Sequence, residues 1–365
     1  MRSWVEVSLG RIRANFRAVK NVVGPDVEVM PVVKADAYRH GAVAVSHVLE
    51  SEGAKWLAVS NTEEGVALRQ AGSQSRILVM ADFLGDANRD EREAHVTQGL
   101  TPVVHSLEDL AHVSVPYHLK IDSGMNRLGT RATPSEIATA IAKAPAPIEG
   151  IMTHFASSGN FENPQTDEQI RCFQNVIDGL RAMGIQPRYL HSSSTIPIAY
   201  KRTEAWGNLV RPGHAIYGYV SAARGGPANA LKVTPALTWK VTILEVKNVP
   251  AGSLIGYGGI HRAARDMRIG ILAAGYADGI PHRLGNKGQV IVKGKFAPIV
   301  GAVSMDLTTI DITDCAPVEA GDSVMLLGSE GAAHIDAQQM ARTAGTISYA
   351  VLCGIHARVK RVYVE

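Results

Sequence analysis

Residues 28–60 read EVMPVVKADAYRHGAVAVSHVLESEGAKWLAVS, and this stretch decides the fold. It opens on a short apolar run, EVMPVVKA, that ends near Lys34. An Ala/Val-rich segment, AVAVSHVLESEG, follows with helical spacing, and a second apolar run, WLAVS, ends at Ser60. Strand, helix and strand in that order make a parallel βαβ unit. The same alternation continues downstream. RILVM ends at Met80, LTPVVHS reaches His105, YHLKID reaches Asp122, IEGIMTHF reaches His154, PRYLHSSS reaches Ser194, and LVRPG surrounds Arg211. Segments such as TEEGVALRQAG, TPSEIATAIAKA and DEQIRCFQNVIDGLRAMG supply helices between them. Eight units of this kind predict an α/β fold with an N-terminal (β/α)8 TIM-like barrel. An open doubly wound sheet is the alternative, weakened because no GxGxxG follows the first strand.

From Lys232 the texture changes. WKVTILEVKNV, RIGILAAGY, QVIVKGKFAPIVGAV, TTIDIT and SVMLLG are closely spaced strands separated by Gly, Pro and Asp turns. They predict a C-terminal, mostly β domain over residues 232–365, following a barrel over residues 9–231. The strand-like N-terminus, residues 1–8, is expected to pair with the β domain.

Composition narrows the function classes. Of 365 residues, 46% are hydrophobic and 19% charged, which supplies a packed core and excludes a disordered chain or coiled coil. With 37 basic against 34 acidic residues and no basic block, nucleic acid is not an expected partner. Cys172, Cys315 and Cys353 have no paired spacing, so neither a disulfide framework nor a metal site is expected, and a cytoplasmic location is. The N-terminus, MRSWVEVSLGRIRANF, reads as neither a signal peptide nor a membrane span.

Barrel enzymes gather their reactive groups at the C-terminal ends of the strands. Lys34, Lys120 with Asp122, His154, His191 with residues 192–195, and Arg211 all fall there. Their convergence favours an enzyme over a binding module. Lys34 follows the apolar PVV directly, a position where desolvation makes a nucleophilic amine suited to Schiff-base chemistry. From position alone, a lysine paired with a neighbouring carboxylate fits equally well. For Lys120 an ion pair with Asp122 or Glu149 is the simpler account.

Longer motifs separate these readings. PVVKADAYRHG, HLKIDSGMNRLG, IMTHFAS, RPGHAIYG, IGYGG, GYADGIPHRLG, VGAVSMDLTTIDIT and ISYAVLCGIHARVKRVY occur in that order. Together the sequence resembles the alanine racemases, pyridoxal-phosphate enzymes built from a barrel and a β domain. The resemblance implies that Lys34 carries the cofactor and is one catalytic base. It implies that Tyr257 is the second base, reaching the site from the other subunit of a homodimer. Tyr38 and Tyr349 match phosphate ligands, Arg211 the arginine facing the pyridine nitrogen, and His154 the histidine stacked near the ring. Arg127 matches the residue orienting the catalytic tyrosine and the substrate carboxylate. Lys120 matches the lysine, often carbamylated, that braces it, and Met305 and Asp306 match a substrate-side loop of the partner subunit.

The loops after the seventh and eighth strands add Ser194, Thr195, Gly213 and His214 as phosphate ligands, offering hydroxyls and backbone N–H groups. A helix N-cap is the other use for the Ser-Ser-Ser-Thr run. The implied reaction is interconversion of L- and D-alanine, supplying D-alanine for peptidoglycan. A broader amino-acid or serine racemase is the alternative within the class, and a decarboxylase of the same architecture lies outside it. Arg211 argues against the decarboxylase, because an arginine beside the ring nitrogen leaves it unprotonated. The chain departs from the family pattern at Arg39, where a glycine is usual. It departs again at Ser194-Thr195 (usually Asn-Ser), at Ala302 and at His282, with Arg283 adjacent. The last two belong to the substrate corridor.

Overall fold

A computed structural model describes residues 1–365, the side chain of Asp86 excepted. The chain separates into two compact units, one of Arg11–Ala37 and Ala42–Thr234, the other of Met1–Gly10, Tyr38–Gly41 and Pro235–Glu365.

Strand β1 (Ser3–Ser8) belongs to the second unit. The first unit holds eight parallel strands: β2 (Glu28–Val29), β3 (Trp56–Val59), β4 (Arg76–Val79), β5 (Leu100–Val104), β6 (Tyr117–Lys120), β7 (Ile148–Met152), β8 (Tyr189–His191) and β9 (Leu209–Val210). β3 to β8 form one six-stranded sheet in sequence order. β2 closes it: Met30 N–H donates to Val210 O at 2.8 Å and Val33 N–H to Ala58 O at 2.8 Å, while Arg211 N–H donates to Ser193 O at 2.9 Å. The result is the barrel expected from the strand–helix alternation. β3, β5 and β6 are buried along their whole length, as parallel strands covered on both faces must be. β2 is much shorter than EVMPVVKA suggests. Pro31 has no N–H to donate, and only its carbonyl joins the ladder, accepting from Ala58 N–H at 2.9 Å.

Register sets what faces inward. Lys120, Met152 and His191 lie level on β6, β7 and β8, and one level down lie His118, Gly150 and Tyr189. Helix Gln165–Ala182 packs Phe173, Ile177 and Leu180 against the cluster of Leu119, Ile121 and Ile151 beside it. Each such side chain contributes about 1.5–3 kcal/mol when fully buried.

The second unit is built on a nine-stranded sheet. Its spine is β10 (Leu237–Val249), paired antiparallel with β1 and in turn with later strands, while β1 runs parallel to the terminal Lys360–Val364 strand. Leu237, Trp239, Val241 and Ile243 alternate inward, the period-two pattern of a half-buried strand. From Ile243 to Val249 the strand pairs with Met267–Leu272, and a register shift between Ile243 and Glu245 leaves Leu244 as an extra residue in that ladder.

One local feature has no counterpart in the pattern of the sequence. Residues 35–39 form a left-handed helical turn, with φ between 52° and 65° at five consecutive non-glycine residues. Each costs roughly 1–2 kcal/mol, so the turn stores on the order of 5–10 kcal/mol. Surrounding bonds hold it. Asp36 accepts from Ala42 N–H at 2.8 Å and Glu64 from Ala35 N–H at 2.6 Å, and Arg361 Nε donates to Arg39 O at 3.1 Å. Strain held this way clusters at functional sites.

Candidate active site

The inward positions at the C-terminal ends of the barrel strands collect charge of one sign. Lys34 follows β2, Lys120 ends β6 and is buried, Arg211 follows β9 and is buried, and Arg127 stands exposed on the loop after β6. Their fields meet at His154, just beyond β7. Burial, then Arg211, Lys120, Arg127 and Lys34 in decreasing order, push its imidazole down to about 3, so it is neutral at any physiological pH. Burial also pulls Lys120 down to about 8, helped by Arg127, Arg211 and Lys34 and opposed by Asp122.

No carboxylate bonds to Lys120 among the described residues. Glu149 makes a bidentate pair with Arg76, at 2.5 Å to each oxygen. Asp122 is held by Arg131 at 2.9 Å and by the backbone N–H groups of Gly124 and Asn126. Neither carboxylate makes a direct ion pair with Lys120, and Asp122 acts on it through its charge alone.

Arg211 is anchored from below. Its Nη2 donates to Thr153 O at 2.8 Å and Ser192 O at 3.2 Å and stands 3.4 Å from His154 Nδ1, while Nη1 lies 2.7 Å from His191 Nδ1. His191 Nε2 lies 2.7 Å from His118 Nδ1. His191 is one of the strand-end groups named from sequence but was given no role there, and His118 did not stand out. The available signal was HLK, which places His118 and Lys120 on one face of a strand.

The phosphate-ligand candidates of the barrel lie on adjoining loops. Ser194 takes the N-cap position of helix Thr195–Ala199 but makes no side-chain capping bond, and Ser192 and Ser193 direct their hydroxyls to Ala205 O. Thr195 Oγ1 accepts from Ala215 N–H at 3.1 Å, tying the seventh-strand loop to that of Gly213 and His214.

The remaining candidates lie in the second unit. Tyr38 and Tyr349 stand with ring centroids 6.0 Å apart, and burial raises both hydroxyls above the usual tyrosine range. Tyr257 heads a short turn, Tyr257–Gly259, between glycines 256 and 258 at φ +74° and +70°, and is 78% exposed. Met305 is 55% exposed. Asp306 is more than a turn residue: Arg358 Nη2 donates to it at 2.7 Å while the same guanidinium clamps buried Asp278 through two bonds of 2.8 Å. Arg358 thus ties the GYADG and SMD motifs together, a role that no local pattern signals.

Comparison with known proteins places the chain. The model of the alanine racemase N-terminal domain matches residues 7–221, and that of the C-terminal domain matches residues 236–363. An alanine racemase of Halothermothrix orenii is 39% identical, the alignment covering 99% of this chain and 96% of the relative. The solved alanine racemase of Clostridium difficile 630 superposes with a TM-score of 0.91 at 32% identity, over 100% of this chain and 96% of that one. The alanine racemase of Bartonella henselae, solved with covalently bound pyridoxal phosphate, superposes at 0.86 with 25% identity over the full length of both. Two domains matched in order, at this identity and over this length, leave one conclusion: the chain belongs to the alanine racemase family.

Proposed function

We propose that this protein interconverts L- and D-alanine, with pyridoxal phosphate held at the barrel mouth and Lys34 and Tyr257 as the two bases. The observation that carries the reading is the meeting of four basic side chains, Lys34, Lys120, Arg127 and Arg211, on His154, with Asp122 opposing them at Lys120. Such a cluster calls for anions, and a phosphate and a substrate carboxylate supply them. The residues fit the cofactor in kind: a lysine amine for its aldehyde, the buried Arg211 guanidinium for its ring nitrogen, and hydroxyls and N–H groups for its phosphate. Those groups are Tyr38, Tyr349, Ser194, Thr195, Gly213 and His214.

When bound, pyridoxal phosphate stabilises the negative charge left on Cα as the α-proton departs. The chain's own residues do the rest. Lys34 Nζ and Tyr257 Oη each hold or release a proton, one on either face of Cα. Their ordinary pKa values of ~10.4 and ~10 must fall for this work, by desolvation for the amine and by a cation such as Arg127 for the phenol. Arg211 has only donors, so the atom it faces stays unprotonated. Lys120, once its amine has taken up carbon dioxide, exchanges its positive charge for the negative charge of a carbamate and becomes one of the anions that the cluster calls for. It then braces Arg127, which orients the substrate carboxylate together with Met305 and Asp306.

We further propose a cytoplasmic homodimer in which Tyr257, Met305 and Asp306 complete the partner's site, making D-alanine for peptidoglycan. The exposure of Leu254 at 57%, Tyr257 at 78% and Ile260 at 56%, close together in sequence, supports a covering partner. Ala302 and His282 leave room for a second reading, activity on larger side chains. The test is complementation. Inactive Lys34→Ala chains mixed with inactive Tyr257→Phe chains under subunit exchange should regain activity, since one site of each heterodimer carries neither lesion. Verified heterodimers without activity would overturn the shared site.

A further inference from the structure

Below Arg211, inside the barrel, stands a column of groups that the proposed chemistry does not use. His118 on β6 is fully buried. Its Nδ1 lies 2.7 Å from His191 Nε2, and His191 Nδ1 lies 2.7 Å from Arg211 Nη1. Arginine donates through every nitrogen and accepts through none, so His191 Nδ1 must accept. A neutral imidazole with a bare Nδ1 carries its proton on Nε2, and that proton can go only to His118 Nδ1. His118 is then itself protonated on Nε2. Burial holds both rings neutral, His118 down to about 3 and His191 well below its ordinary value, so no doubly protonated form relaxes this order. One set of tautomers satisfies all three residues.

The His118 Nε2–H meets no acceptor among the described residues. An unsatisfied buried donor is expensive, and an apolar side chain in the same slot would avoid the cost. The slot is nonetheless shaped for this ring. A Cβ on Gly150 would stand 2.7 Å from two of its atoms. Tyr189 stacks on it at 5.8 Å, and Trp56 flanks it at 5.5 Å with the Arg76 guanidinium 4.0 Å above the indole. Packing fixes the ring, and the ring offers one acceptor upward.

We propose that His118 is a positioning residue: by accepting from His191 Nε2–H it fixes the tautomer that presents Nδ1 to Arg211, and so fixes the direction of that guanidinium. Without the acceptor, the Nε2–H of His191 is left unpaired in a buried site, and the bond from Arg211 alone must hold that tautomer against its cost. The alternative tautomer sets an N–H against an arginine N–H and turns Arg211 away. The tautomer order stands on geometry alone; its effect on the cofactor rests on the reading in which Arg211 faces the ring nitrogen.

The experiment uses the holoenzyme labelled with 15N-histidine. Long-range proton–nitrogen spectra of the parent should show His191 with Nε2 protonated and Nδ1 bare. A parent His191 protonated on Nδ1 overturns the proposal, whatever the variants do. His118→Phe, which fills the slot without an acceptor, should abolish that pattern, speed pyridoxal phosphate dissociation about tenfold or more, and move the pH dependence of cofactor absorbance. His118→Asn, which restores an acceptor near the Nδ1 position, should recover all three. An unchanged His191 pattern in His118→Phe, or an Asn variant as impaired as the Phe variant, refutes positioning and leaves only space-filling. A changed His191 pattern with unchanged cofactor behaviour upholds the positioning and instead removes Arg211 from the ring nitrogen.

Discussion

Arg39 closes the left-handed turn at φ +65°, the position where the family pattern carries a glycine. A non-glycine residue there costs about 1–2 kcal/mol, and glycine avoids that cost while losing about 0.5–1 kcal/mol through the freedom it has when unfolded. The arginine's return is small. Its Nε reaches Cys353 O at 3.4 Å, long for an N–H···O bond and worth at most about 0.5 kcal/mol. Its carbonyl bond to Arg361 belongs to the backbone and survives any substitution. Arg39→Gly should therefore be neutral to stabilising by up to about 1 kcal/mol, although it deletes a charged, hydrogen-bonded side chain. Arg39→Ala keeps the backbone cost and loses the bond, so it should fall below the glycine variant by roughly 1 kcal/mol. Urea denaturation at one fixed protomer concentration reads the difference as a shift in midpoint at unchanged slope. An alanine variant as stable as the glycine variant would refute the strain assigned to residues 35–39.

Lys120 makes stability depend on pH in an unusual direction. Its folded value of about 8 lies below the 10.5 of the free side chain, so between those limits the unfolded chain holds a proton that the folded chain has lost. In bicarbonate-free buffer, where Lys120 is the free amine, stability should rise with pH across that window, by up to about 1.4 kcal/mol per pH unit, and Lys120→Met should flatten the slope in denaturation midpoints taken from pH 7 to 10. The same depressed value leaves a neutral amine near pH 8, so 13C-bicarbonate should give a carbamate signal that Lys120→Met removes. Arg358→Met strands the buried Asp278 carboxylate, leaving it Gly275 N–H as its remaining donor; it should cost about 2–3 kcal/mol by chemical denaturation, discounted because Arg358 itself is half exposed.

How much of this was legible beforehand depended on the range of the signal. Strand ends at Lys34, Ser60, Met80 and Arg211 follow from local apolar runs, and register alone then gathers Lys120, His154 and Arg211 at one end of the barrel. The left-handed turn was invisible because ADAYR carries no glycine, and φ above zero is imposed there by bonds to Glu64 and Arg361, distant in sequence. The isolation of Lys120 could not be read either, since Asp122 is its neighbour but is captured by Arg131. His118 and Arg358 act through partners 73 and 80 residues away, beyond any local pattern.

The central claim is that two bases, Lys34 and Tyr257, work on opposite faces of one Cα. Exchange of the α-proton in deuterated water, followed separately from L- and D-alanine in the Tyr257→Phe holoenzyme, tests it most directly. Positioned acid–base groups contribute ~10²–10⁴-fold. The account predicts a loss of that order for one enantiomer, with exchange from the other retained through Lys34. Equal losses for both enantiomers would contradict it.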